Sequence, residues 1–280
     1  MNKILRILKK RRSGGFTLVE MIVSVALLAI LLGGMMLFIA PIIRSFNDTK
    51  TDLTAENVST TVQEYIIRSI RNANQVAVFN YVSADDLTST TAKLADGTSY
   101  ADVISGMNNY CTSINGTGCA QENKKYLLKC ISLRYEDGKY ILYNESVDDS
   151  GRLNPTGKVK VFSDCLYDDL YLTFDFGKIK NSDYGVVDSK TSGYEFRPDT
   201  LTLDVNAYGD SAHNNKLFVG AGVFELRQIK VMIDQDISNA KDYYLKMAHE
   251  NTAENPYTYD SISDDKKDIF IYYTIRRLGK

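Results

Sequence analysis

The feature that most constrains this chain is an apolar run from residue 16 to residue 43. It reads FTLVEMIVSVALLAILLGGMMLFIAPII, and its one ionisable side chain is Glu20. At about 1.5 Å per residue the run is about 42 Å long as a helix, which exceeds a hydrocarbon core of about 30 Å. We therefore expect one membrane-spanning helix over residues 16–43.

The residues before this run are strongly basic. Residues 1–15 read MNKILRILKKRRSGG and hold six of the 33 Lys and Arg residues but no Asp or Glu. A KKRR cluster also occurs in nuclear localisation and nucleic-acid patches, but its position directly before an apolar helix favours a topology signal. The basic flank predicts a cytoplasmic N-terminus and export of everything after residue 43.

The charge of the exported part bears on its partners. Without residues 1–15, 27 basic residues remain against 35 acidic ones, so the formal net charge of −2 hides an acidic exported part. Phosphate contacts need clustered Lys and Arg, so we expect no nucleic-acid partner.

An ordinary secretory signal does not fit this N-terminus. Such a signal has an apolar region of about 7–15 residues followed by small residues at the cleavage site. Here the run is longer, and the small residues Ser13, Gly14 and Gly15 precede it. No cysteine directly follows the run to accept a lipid. Any cleavage site is therefore expected on the cytoplasmic side.

The segment from Gly14 to Glu20, GGFTLVE, resembles the prepilin signature of type IV pilins and type II secretion pseudopilins. The resemblance covers about the first 45 residues. It implies that a prepilin peptidase cuts after Gly15 and N-methylates the new terminus, Phe16. The other partners it implies are further pilin or pseudopilin subunits and an inner-membrane assembly platform.

Glu20 is the residue of this segment that needs a physical explanation. A carboxylate in the hydrocarbon layer needs a partner, and the run contains no Lys, Arg or His. Cleavage would create one, the α-amino group of Phe16. The resemblance implies that Glu20 faces the terminus of a neighbouring subunit and sets the register of assembly. A pair within one chain and a carboxylate that reaches the cytoplasmic interface are the alternatives.

Two features inside the run weaken a helix. Gly33-Gly34 and Pro41 predict local melting or a kink. The resemblance implies a zone that stretches during polymerisation, whereas glycine pairs also allow close helix packing. Residues 44–75 continue as an amphipathic helix ending near Asn74, because apolar residues recur at spacings of three and four: Val58, Val62, Tyr65, Ile66, Ile70 and Ala73.

Residues 76–280 are expected to form an exported β-rich globular head. Asp137-Gly138 between apolar runs predicts a hairpin of strands 126–135 and 139–144. Further strands are expected over 170–176, 201–205, 217–224, 226–233 and 270–275, with an exposed loop over 83–105 and a helix within 234–250. The fold class is α+β, a long N-terminal helix packed on an antiparallel sheet, which the resemblance makes pilin-like.

The four cysteines all lie in the exported part, where disulfides form. They are Cys111, Cys119, Cys130 and Cys165. A Cys111–Cys119 pair would close a small loop and leave Cys130–Cys165 to join two strands. Four cysteines allow three pairings, and free thiols are a further alternative. Zinc is disfavoured because no C-x₂-C spacing occurs.

Nothing in the sequence indicates catalysis. The chain has two histidines and no nucleophile, phosphate-loop or dinucleotide motif, so no catalytic residue is assigned. Acidic pairs such as Asp148-Asp149 lack the EF-hand pattern, and we expect no metal and no cofactor.

The leading interpretation is therefore a structural subunit, a minor pilin or pseudopilin. Its machine would be a type IV pilus, a competence pseudopilus or a type II secretion system. The alternative is a binding module at a pilus tip, an adhesin or a DNA- or substrate-capturing receptor on the same helix. Either one would be a single-pass membrane protein with an extracytoplasmic head, displayed at the cell surface after assembly.

Overall fold

A computed structural model describes residues 17–116, 124–167, 169–180, 196–234, 242–249 and 262–277. Contacts divide the chain into two units, Met1–Thr51 and Asp52–Lys280. Each unit is described by itself below.

The first helix, α1, spans Leu18–Ile70 and contributes to both units. It remains helical through Gly33, Gly34 and Pro41, so the predicted melting does not occur. Pro41 has no N–H, so the carbonyl of Leu37 lacks its usual helical donor. The helix ends at Ile70 and not near Asn74. Asn74 is not helical and lies directly before the first strand, where its N–H donates to the carbonyl of Thr274 at 2.9 Å.

Nine strands form the described part of the head. They are β1 (Gln75–Val82), β2 (Tyr126–Glu136), β3 (Lys139–Val147), β4 (Leu153–Lys160), β5 (Tyr171–Lys180), β6 (Phe196–Tyr208), β7 (Lys216–Glu225), β8 (Tyr244–Ala248) and β9 (Asp268–Arg276). One sheet has the order β4-β3-β2-β9-β1-β8 and the other β5-β6-β7. All pairs are antiparallel except β1 with β8, which is parallel. The predicted α+β class is confirmed, with a mixed sheet in place of a purely antiparallel one.

The predicted hairpin between β2 and β3 is confirmed. Glu136 pairs with Lys139 across the turn, and the two central residues have positive φ, 51° at Asp137 and 81° at Gly138. Asp and Gly tolerate this conformation, and the turn it makes matches the twist of the two strands. The strands predicted around 170–176, 201–205, 217–224 and 270–275 correspond to β5, β6, β7 and β9.

The larger sheet has a core on each face, because successive residues of a strand point to opposite sides. In β9, Ile269, Ile271 and Tyr273 belong to the core that contains the stripe of α1 from Ala55 to Ile70 and the smaller sheet. Phe270 and Tyr272 belong to the core on the other face. This explains why β1 is buried along its whole length.

Three expectations about single elements of the head are wrong. The predicted loop over 83–105 contains a 3-10 turn, Asp86–Thr88, and the start of a helix, α2, over Tyr100–Asn115. Ser99 caps α2 by accepting from the N–H of Asp102, and the helix buries Tyr100, Val103, Ile104, Met107 and Cys111. Their three- and four-residue spacing is typical of a packed helix, which the polar residues between them disguised.

The other two errors lie after β7. Residues predicted as a strand over 226–233 form a short helix, α3, over Arg227–Asp234, because Leu226 and Ile229 reach the core at a three-residue spacing. In the region predicted as a helix, 234–250, residues 235–241 and 250 lie outside the described residues, and the described part contains β8, whose Leu245 and Met247 alternate into the same core. Both corrections arise from short segments in which strand and helix periodicities look alike.

Candidate functional site

The candidate site is the N-terminal part of α1, and its first turn is built by Thr17 and Glu20. One Glu20 carboxylate oxygen, Oε2, accepts from the backbone N–H of Thr17 and from its hydroxyl, each at 3.0 Å. In return the Glu20 N–H donates to the Thr17 Oγ1 at 3.3 Å. This reciprocal arrangement is a capping box, which satisfies N–H groups that have no helical acceptor.

The capping box gives Glu20 a local role that the sequence analysis missed. The signal was present, because Thr-x-x-Glu directly before an apolar run is the sequence pattern of such a box. The predicted cleavage and methylation positions, Gly15 and Phe16, lie outside the described residues. The geometry therefore places Glu20 at the first turn of α1 and leaves its pairing with the new terminus a prediction.

The rest of the segment is an exposed apolar surface. None of the residues from Leu18 to Ile43 is buried. Leu18, Leu37 and Phe38 are 77%, 76% and 73% exposed. Among the described residues, α1 is the one helix long and apolar enough to cross a bilayer. Apolar surface on this scale is characteristic of contact with lipid or with other proteins, and not with water.

The described part of the chain contains three of the four cysteines that were considered as disulfide partners. Cys130 and Cys165 are free thiols in the structure, whereas Cys119 lies outside the described residues, so the Cys111–Cys119 pair stays a prediction. Cys130 is buried in the core beside α2, whereas Cys165 is exposed in a 3-10 turn with its sulfur 2.8 Å from the Ser163 hydroxyl. A Cys130–Cys165 bond is therefore absent. Burial raises the pKa of Cys111 to about 11 and that of Cys130 well above its usual value.

Sequence reasoning also missed a buried ion network in the larger sheet. Arg134 binds Glu145 through both carboxylate oxygens, at 2.7 and 3.0 Å, and Asp268 at 2.8 Å. Its guanidinium carbon lies 4.3 Å from the centre of the Phe270 ring. Ser132 donates a further hydrogen bond to Glu145. Pairing across three strands cannot be read from a sequence in which these residues are far apart.

One comparison with known proteins supports the N-terminal assignment. A family model described as the prokaryotic N-terminal methylation motif matches residues 10–36. Among solved structures, the chain is similar to the PilB minor pilin from Streptococcus sanguinis, with 10% identity and a TM-score of 0.35. That alignment covers 84% of this chain and 36% of the other, so the chain spans about a third of its length. A comparison with curated proteins finds no match.

The motif match confirms the resemblance drawn from residues 14–20. The chain carries an N-terminal methylation motif, and the motif extends into the uncovered apolar surface of α1.

Proposed function

We propose that this protein is a structural subunit, a minor pilin or pseudopilin, that assembles into a filament through α1. The observation that carries the proposal is the methylation motif over residues 10–36, which runs directly into an apolar helix with no buried residue up to Ile43. A helix of this kind needs lipid before assembly and neighbouring helices after it. A filament of packed subunits supplies those neighbours.

Processing would take place at the cytoplasmic face of the membrane. A prepilin peptidase would cut between Gly15 and Phe16, removing the basic leader, and would methylate the Phe16 amine. Glycine before the cut presents no side chain, so an extended backbone fits a narrow protease site. The acidic head would stay outside the membrane, and an inner-membrane platform would add the subunit to others. The role proposed is structural and not catalytic.

Glu20 would change partner between the membrane and the filament. In the single chain its carboxylate is held by Thr17, one turn from the new terminus. In the filament, the carboxylate would meet the methylated amine of a neighbouring subunit. A charged pair within an apolar bundle penalises every register that leaves one partner alone. Glu20 would thus fix the axial position of each subunit.

Three variants separate assembly from helix capping. Glu20→Gln keeps an oxygen that can accept from Thr17 but removes the charge, and it should be cleaved normally and incorporated poorly. Thr17→Ala removes the capping hydroxyl but keeps the charge, and it should be incorporated. Glu20→Ala loses both and should behave like Glu20→Gln.

The measurement is the amount of each variant in sheared, purified filaments relative to the amount in membranes. Normal incorporation of Glu20→Gln would contradict the charge-pairing role of Glu20. Defects in Thr17→Ala and Glu20→Ala together with normal incorporation of Glu20→Gln would assign the role of Glu20 to capping alone.

A further inference from the structure

A cavity of about 400 Å³ opens on the face of the larger sheet that α2 covers. Ala101, Ile104 and Ser105 of α2 form one wall, and the segment around Leu87 forms another. The third wall is the connection from β3 to β4. The volume is in the range of small-molecule sites, which is about 300–1,000 Å³.

The floor of the cavity is polar and fixed. It contains Arg134 and Glu145 from the buried ion network, together with Tyr272 of β9. A guanidinium has five N–H groups. Within the part of the chain that the structure describes, Glu145 and Asp268 accept hydrogen bonds from three of the five N–H groups of Arg134. Two donors therefore remain beside a carboxylate held in one orientation.

Tyr272 adds a hydroxyl that the described protein does not use. Its side chain lines the cavity although the residue is 1% exposed, and its hydroxyl bonds to none of the described residues. Tyr272 can donate and accept through this hydroxyl, so it can bind a ligand in the cavity. Its ring packs at 5.9 Å from Phe79, edge to face, so the hydroxyl is held in place.

The wall formed by the β3–β4 connection is held in place by hydrogen bonds within its own turn and by one to α2. Asp148 accepts from the N–H groups of Ser150 and Arg152, each at 2.8 Å, and so closes the turn. Asn108 of α2 donates to the Asp149 carbonyl at 2.8 Å. Gly151 has φ +84° and would place a Cβ 3.1 Å from Ile104, so a side chain there would press on α2. The cavity is preformed, which lowers the ordering cost of binding.

The charges around the cavity select the type of ligand. Three cationic side chains line it, Arg134, Arg152 and Lys158. Two carboxylates, Asp85 and Glu145, also line the cavity. Two further carboxylates outside the lining form ion pairs with the cations: Asp268 pairs with Arg134, and Glu136 pairs with Lys158. Three positive charges against four negative ones leave a formal charge of −1, so an anion finds no surplus of positive charge and a cation finds at most one uncompensated carboxylate. A wholly apolar ligand would leave the floor without partners.

We propose that this cavity binds a neutral saccharide of one or two sugar residues. Sugar hydroxyls both donate and accept, which suits the free N–H groups of Arg134, the Glu145 carboxylate and the Tyr272 hydroxyl. The C–H face of the ring suits Leu87, Ile104 and Leu153 on the walls. This inference does not depend on the assembly role of α1.

The test uses the full chain in a detergent without a sugar headgroup. Glucose, galactose, N-acetylglucosamine, lactose and cellobiose are titrated one at a time, with binding measured by saturation-transfer NMR and calorimetry. Citrate and glycine are titrated as an anion and a zwitterion of similar polarity. We expect saturable binding of at least one saccharide and none of citrate or glycine. Tighter binding of citrate or glycine, or no binding of any saccharide, would overturn the proposal.

Two variants assign the binding to this cavity. Ser105→Trp places an indole at its mouth from an exposed position of α2 and should abolish binding. The matched control is Gly106→Trp, at an exposed position outside the lining where a Cβ meets nothing within 4 Å, and it should bind normally.

Tyr272→Phe removes only the hydroxyl and should lower the saccharide affinity about tenfold with an unchanged urea midpoint. Unchanged affinity in both Ser105→Trp and Tyr272→Phe would place the saccharide elsewhere and refute the site.

Discussion

The second half of α1 should contribute several kcal/mol to the stability of the head's core. The Ile66→Ala variant measures this contribution to the unfolding free energy. Ile66 is 0% exposed and lies in the core shared with both sheets. Truncating a buried Ile to Ala costs about 2–5 kcal/mol, from lost transfer free energy and the cavity left behind. Alanine's higher helix propensity offsets only a few tenths of a kcal/mol.

The matched control is Leu53→Ala, on the same helix and in the same unit. Leu53 is 53% exposed, so the change should cost within about 0.5 kcal/mol. With a urea m-value of about 3 kcal/mol/M, Ile66→Ala should lower the unfolding midpoint by about 1 M and Leu53→Ala by less than about 0.2 M.

The assay is urea unfolding of the full chain in a nonionic detergent. The chain has no Trp and 19 Tyr residues, so tyrosine fluorescence is the probe. Equal midpoints for Ile66→Ala and Leu53→Ala would refute the packing of α1 into the head, and with it the idea that the head is displayed on this helix.

Three further predictions concern the head. Gly157→Ala places a Cβ against the Ser146 side chain and should lower the unfolding free energy by more than about 1 kcal/mol, with recovery in a Ser146→Gly double variant. Gly106→Ala, whose Cβ meets nothing within 4 Å, should raise the unfolding free energy by up to about 1 kcal/mol. A change of the same sign in both variants would contradict the steric account. Burial lowers the pKa of His249, so this imidazole binds a proton more tightly in the unfolded chain than in the folded one. The unfolding free energy should therefore fall as the pH drops below about 6.5, the ordinary pKa of histidine, towards the lower pKa of the folded state. His249→Asn, at a position with φ 51°, should flatten urea midpoints measured from pH 7.5 to 5.5, and an unchanged slope would exclude His249 as the cause. A maleimide should label the exposed Cys165 at once but the buried Cys130 only on unfolding. A disulfide-linked Cys130–Cys165 peptide, found under non-reducing conditions, would contradict the prediction that both residues are free thiols.

Strong local patterns were enough to predict the main elements of the fold. The apolar run, the stripe from Val58 to Ile70 and the Asp137-Gly138 turn each follow from one short-range rule, and α1, the β2–β3 hairpin and most strands agree with them. The parallel pairing of β1 with β8 could not be foreseen, because it joins residues about 170 positions apart.

The elements that failed are those whose sequence is ambiguous. α2 buries one face but carries Ser, Asn and Asp on the other, so its composition resembles a loop. α3 and β8 are eight and five residues long, too short for either periodicity to dominate.

The candidate site divides in the same way. Residues 14–20 carry a motif that is local in sequence, so it was found, and the match over residues 10–36 confirms it. The capping role of Glu20 is equally local, since Thr17 lies three positions before it, but the charge of the carboxylate predicts a distant partner instead. The saccharide cavity depends on Arg134, Glu145 and Tyr272, which only the folded sheet brings together.

The most direct test of the central claim is the intact mass of the chain extracted from the membranes of cells that contain a prepilin peptidase. The account predicts a chain that begins at Phe16 and carries one added methyl group, and the full-length mass when the peptidase is deleted. Retention of residues 1–15 in the presence of active peptidase would contradict it.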